Sequence, residues 1–201
     1  EGMNGKTMKW MANKAIEKDC VITGSLIIKE DGKYFNRLVW MRPDGSFAHY
    51  DKRHLFRMMN EQLHYSAGDK RIVATLNGWR ICPLICYDLR FPVWSRNRGD
   101  YDMLIYIANW PEARREAWRA LLPARAHENQ CYVAGVNRVG EDGKGIAFSG
   151  DSAVYGPRGN LLCAIKPYKE SVETVTLSYN ELADFRNKFP VGLDADEFTI
   201  C

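Results

Sequence analysis

The chain has 201 residues, and with 46% of them hydrophobic it can enclose one sizeable core. Charged residues make up 26% and the net charge is only +3, too mild an excess to make nucleic acid or an anionic membrane the main partner. No apolar run approaches the roughly 18 residues of a membrane span, and no signal peptide is legible.

The opening, "EGMNGKTMKWMANKAIEKDC", reads as a helix from Thr7 to about Lys18, with Met8, Met11, Ala12, Ala15 and Ile16 at helical spacing and Thr7 as its N-cap. It has neither an initiator methionine nor a preceding strand, so it reads as a helix entering mid-domain. The next stretch, 21–52, holds three short strands joined at "EDGK" and "PDGS", whose Asp-Gly pairs signal tight hairpins. A polar, irregular stretch over 57–71 follows. Strands are then predicted in "IVATLN" and "RICPLICYD", joined across Asn77-Gly78, and a short helix in "FPVWSRN". "DMLIYIAN" is apolar at nearly every position, as a strand buried on both faces is.

"EARREAWRALLPARAHENQ" reads as a helix that Pro123 kinks or restarts. "CYVAGVNRVG" is another buried strand, 145–165 a hairpin about Gly156–Gly159, "SVETVTLS" a strand, and "YNELADFRNKFP" a closing helix. Central strands alternate with helices and terminal ones pair as hairpins, so the fold class is α/β: mixed sheets, two of them packed together, with helices outside. There is no repeat or linker, and residues 1–201 read as one domain.

The six cysteines, Cys20, Cys82, Cys86, Cys131, Cys163 and Cys201, are scattered and form no CxxC pair. Reduced thiols in a cytoplasmic protein fit better than a disulfide framework or a zinc site. Cys86 stands apart because it ends its apolar run and is followed at once by Tyr87, Asp88, Arg90 and Pro92. Ligands gather where parallel strands end, and a nucleophile on such a turn has free N–H groups beside it for an oxyanion. A thiol with a pKa of about 8.5 needs a helper. Among His49, His54, His64 and His127, His54 is best placed by context. Lys52, directly after a strand and flanked by Asp51 and Arg53, is the other choice. By pattern alone a core cysteine and a solvated lysine remain open.

"YDKRHLF", followed by "ICYDLRFP", "ANWP", "ARAHENQCYVAGVNRVG" and "GDSAVYGPRGNLL", resembles the nitrilase superfamily, most closely its bacterial omega-amidase-type branch, from about Gly24 to the end. The resemblance implies an αββα sandwich that pairs into a homodimer, needs no cofactor or metal, and hydrolyses small amides. It puts the nucleophile at Cys86 and the catalytic lysine at Lys52, with a second glutamate at Glu61. The N–H of Tyr87 would help hold the oxyanion, Arg90 would receive a substrate carboxylate, and Trp110 would line the pocket. Its general-base glutamate belongs to a Pro-Glu motif that Glu1 does not match. That base is therefore unassigned, and the single domain reads as lacking an N-terminal strand–helix segment.

Asp88 is expected to fix the turn, and Arg125 with Glu128 to be a structural ion pair or an interface group. The implied substrate is an α-keto acid monoamide such as α-ketoglutaramate. Competing readings are an N-carbamoyl or nitrile substrate, a binding protein that kept the fold, and a redox-sensing thiol protein. For the last, Cys82 would sit about 13 Å from Cys86 along a strand, too far to bridge.

Overall fold

A computed structural model describes residues 1–200. Helix α1 (Lys6–Lys18) precedes strands β1 (Ile22–Glu30), β2 (Lys33–Met41) and β3 (Phe47–Asp51), which form an antiparallel sheet in that order. The first hairpin turns through Asp31 (φ +49°) and Gly32 (φ +75°), the double left-handed turn that Asp-Gly accepts. Met8, Met11 and Ala15 of α1 pack on Val39 and Met41 of β2. Two expectations fail here. Gly5, not Thr7, is the N-cap, and the exposed helix start is held by the Glu1 carboxylate, which accepts from the N–H groups of Thr7 and Met8. Ile16, one position past Ala15, turns away from the buried stripe and is 58% exposed.

The second sheet is built from β4 (Ala74–Leu76), β5 (Trp79–Ile85), β6 (Met103–Ala108), β7 (Tyr132–Asn137), β10 (Ala153–Tyr155) and β11 (Leu161–Ala164). Its order is β11-β10-β7-β6-β5-β4, with β5, β6 and β7 parallel and the outer pairs antiparallel. A separate hairpin joins β8 (Val139–Glu141) to β9 (Ala147–Ser149). Short helices α2 (Glu61–His64) and α3 (Pro92–Ser95) lie in the connections, and α4 (Arg115–Asn129) and α5 (Tyr179–Lys188) complete the set.

Trp118, Leu122 and Ala126 of α4 are fully buried on the second sheet. A Cβ at Gly135 of β7 would lie 2.5 Å from the Leu122 side chain, so only glycine lets the helix approach this closely. The helix runs through Pro123 as one element, so of the expected kink or restart the restart does not occur. The buried side chains either side of the proline hold it despite the lost backbone bond. On the opposite face, Trp40 of β2 packs on Ala74 and Ile81, and Leu38 and Tyr50 join the core of β5 and β6. The layers are therefore helix, sheet, sheet, helix, the αββα sandwich the sequence implied.

The expected strand over 171–178 is not one. Val172 is 93% exposed, and the segment pairs with neither sheet. Its valine, threonine and leucine residues supply β propensity, but propensity without a neighbouring edge makes no ladder. No helix among the described residues is long and apolar enough to cross a membrane.

Candidate active site

The carboxyl ends of β5, β6 and β7 lie side by side, and the end of β3 comes against them from the other sheet. Cys86 stands where β5 stops, opening a single 3-10 turn, Cys86–Arg90. Its φ is +45°, a region where a side chain costs on the order of 1–3 kcal/mol and which therefore has to be held by its surroundings.

Asp88 does the holding. It is fully buried; its Oδ2 accepts from the Ile85 N–H at 3.0 Å and the Tyr50 hydroxyl at 2.7 Å. Its Oδ1 accepts from the His54 N–H at 3.1 Å and meets His54 Nδ1 at 2.8 Å. Tyr50 in turn accepts from Trp94 Nε1 and the Arg53 N–H. One carboxylate thus ties the chain around Lys52 to the turn that carries Cys86. Behind the turn, Arg125 donates twice to the Leu89 carbonyl, at 3.1 and 2.8 Å, and pairs with Glu128 at 3.0 Å. Arg125 thus supports the Cys86 turn from behind. His54, the histidine favoured by context, is not a partner of the thiol: it bonds Asp88, and its ring stacks on Phe91 with centroids 3.7 Å apart.

Lys52 follows β3 and is 1% exposed. Its ammonium meets Glu61 Oε2 at 2.7 Å, and the same oxygen accepts from the Phe56 N–H at 2.7 Å. A buried ammonium is tolerated only with such a partner. The Lys52 carbonyl accepts from the Gly68 N–H at 3.0 Å, and a Cβ on Gly68 would lie 2.2 Å from the Asp51 carbonyl oxygen. The irregular 57–71 stretch is thus the segment that closes over Lys52 and delivers Glu61 to it.

Half-buried Cys86 has one described polar contact, Sγ to the Asn109 carbonyl at 3.8 Å. Burial pushes its thiol up to about 11; Lys52 pulls the other way, and the carboxylates of Glu61 and Asp88 add to the rise. Cys86 therefore rests as a thiol at neutral pH, beside an ammonium that favours its anion. Among the described residues no carboxylate or imidazole bonds to Sγ.

The rim of the site is aromatic and cationic. Tyr87 packs between Phe56 (centroids 4.8 Å) and Phe91 (5.1 Å). Arg90 is exposed and lies over the Trp110 ring, 5.1 Å from its centroid, rather than pairing with Asp88. Trp110 is almost wholly buried, and Asn137 at the end of β7 clamps its backbone: Oδ1 accepts from the Trp110 N–H at 2.7 Å and Nδ2 donates to its carbonyl at 3.1 Å.

A family model described as carbon-nitrogen hydrolase matches residues 1–187, reaching further toward the amino terminus than the motifs alone did. The chain belongs to the carbon–nitrogen hydrolase family. Among its relatives, omega-amidase YafV of Escherichia coli K12 is 48% identical over 96% of this chain and 75% of its own length. The 2-oxoglutaramate amidase of Bacillus subtilis is 34% identical over 85% of this chain and 66% of its own. A CN-hydrolase superfamily protein from Xanthomonas campestris superposes with a TM-score of 0.98 at 47% identity, over 100% of this chain and 78% of the other.

Within this carbon–nitrogen hydrolase, the sequence-derived candidates Cys86, Tyr87, Arg90 and Trp110 share one neighbourhood, and Lys52 and Glu61 are bonded to each other. Sequence reasoning missed Phe56 and Asn137. Asn137 had a signal, a polar amide following the run "YVAGV", and Phe56 had its place at the end of the motif "YDKRHLF".

Proposed function

We propose that this protein is an omega-amidase, hydrolysing the terminal amide of a small α-keto acid monoamide such as α-ketoglutaramate through a cysteine thioester. The observation that carries it is the buried Lys52–Glu61 pair facing the same site as a cysteine held at positive φ. The resemblance to omega-amidase YafV and to the 2-oxoglutaramate amidase supports the substrate class.

In this reading the Cys86 thiol gives its proton to a base, and the thiolate attacks the amide carbon. The oxyanion that forms is held by the Lys52 ammonium and the Tyr87 N–H. Glu61 holds the Lys52 ammonium in place, so its charge is positioned before the oxyanion develops. The C–N bond breaks, ammonia leaves with a proton, and a thioester on Cys86 remains. Water then adds to the thioester, releasing the acid and restoring the thiol. Arg90, with no ion pair of its own among the described residues, offers its guanidinium to the substrate's carboxylate.

The same proposal takes the working form to be a homodimer in the cytoplasm, a setting that suits the free cysteines, Cys20, Cys82, Cys86, Cys131 and Cys163. The test is ammonia release across a panel of α-keto acid monoamides, uncharged amides, nitriles and N-carbamoyl compounds. The account expects the keto-acid amides to lead; nitriles or N-carbamoyl compounds in front would replace the substrate assignment.

A further inference from the structure

We propose that Arg114 is the second cation of a two-arginine mouth, selecting amides whose far end is a carboxylate. The inference rests on the amidase reading and adds to it a specificity residue on a different element from Arg90.

Arg114 lies just before α4, with its guanidinium over the Phe56 ring, 5.0 Å from the centroid. Phe56 is part of the site itself: its ring packs on Tyr87, next to Cys86, and its N–H donates to Glu61. The Arg114 backbone is fixed from the other side, since Trp110 Nε1 donates to its carbonyl at 2.8 Å. That indole is the one whose face carries Arg90. Two aromatic supports, Trp110 and Phe56, thus bring two guanidiniums to one rim.

Both guanidiniums are unspent. Neither donates a hydrogen bond or joins an ion pair among the described residues, whereas the neighbouring Arg115 pairs with Asp151 at 2.8 Å. The carboxylates nearest Arg114 in sequence are occupied: Glu112 accepts from the Tyr168 hydroxyl and Glu116 pairs with Arg119. A guanidinium resting on a ring face is positioned by the ring but keeps its in-plane N–H groups for a ligand. A carboxylate fits that fork, and an uncharged chain end gains nothing from it.

The experiment measures protection of Cys86 from iodoacetamide, read by mass spectrometry, in the wild-type chain, Arg114→Met and Arg114→Lys. The protecting probes are 2-oxoglutarate and the uncharged butyramide. Methionine keeps a flexible apolar stem over Phe56, so lost packing alone is not expected to separate the two probes. The half-protecting concentration of 2-oxoglutarate should rise by about tenfold or more in Arg114→Met relative to any change for butyramide, with Arg114→Lys in between. Equal changes for both probes, no change for 2-oxoglutarate, or no protection of the wild type by 2-oxoglutarate would each overturn the inference. The amidase reading is judged separately, by ammonia release from the wild type, because protection needs no turnover.

Discussion

Glu61 Oε2 lies 2.7 Å from the Lys52 ammonium, and with Lys52 only 1% exposed the two charges depend on each other. Replacing Glu61 with glutamine leaves a buried ammonium without its counter-charge. Stability should fall by roughly 3 kcal/mol, and ammonia release should fall with it because Lys52 loses the bond that aims it. The double variant Lys52→Met, Glu61→Leu should recover most of the stability and none of the activity. Calorimetry beside an ammonia assay reads both.

The positive φ of Cys86 predicts an order of stabilities. Cys86→Gly should be more stable than Cys86→Ala by about 1 kcal/mol, since glycine enters the left-handed region without a Cβ penalty. Both variants should be inactive and folded. Denaturant melts that rank alanine at or above glycine would show that the turn carries no such strain.

Thiol reactivity should follow pH in a stated direction. With the thiol pushed up to about 11, thiolate is scarce at neutral pH, and the rate of Cys86 alkylation should keep climbing from pH 8 toward 11. Lys52 lowers the thiol's pKa, so Lys52→Met should move the profile to still higher pH and slow alkylation at any fixed pH below it. A profile that levels off near pH 8 would mean that burial does not govern this thiol.

Arg90→Met should cost about tenfold or more on keto-acid amides and far less on small uncharged amides, because only the former bring a carboxylate to the guanidinium. Kinetics on one substrate of each kind decide it. Equal losses would make Arg90 a packing residue on Trp110.

Much of this was legible in the sequence because it is local. Asp-Gly and Asn-Gly place the turns at Asp31, Gly45 and Asn77 by backbone chemistry alone, and Cys86 ends its strand within the same short run that supplies Tyr87 and Arg90. What escaped depends on distant segments meeting. Asp88 gathers Tyr50 from the other sheet and His54 from the loop that follows it, which is why His54, plausible by sequence, turns out to serve Asp88. Arg114 looks like one of many arginines until Phe56 is found beneath it. The expected strand over 171–178 failed for the opposite reason, since its local pattern is good but no edge receives it.

The central claim is that Cys86 carries the acyl group of the substrate. The most direct measurement is intact-mass and peptide analysis of the enzyme quenched during turnover of α-ketoglutaramate. The account predicts a 2-oxoglutaryl adduct on the peptide containing Cys86, absent from Cys86→Ala, which releases no ammonia. Undiminished ammonia release by Cys86→Ala would contradict it.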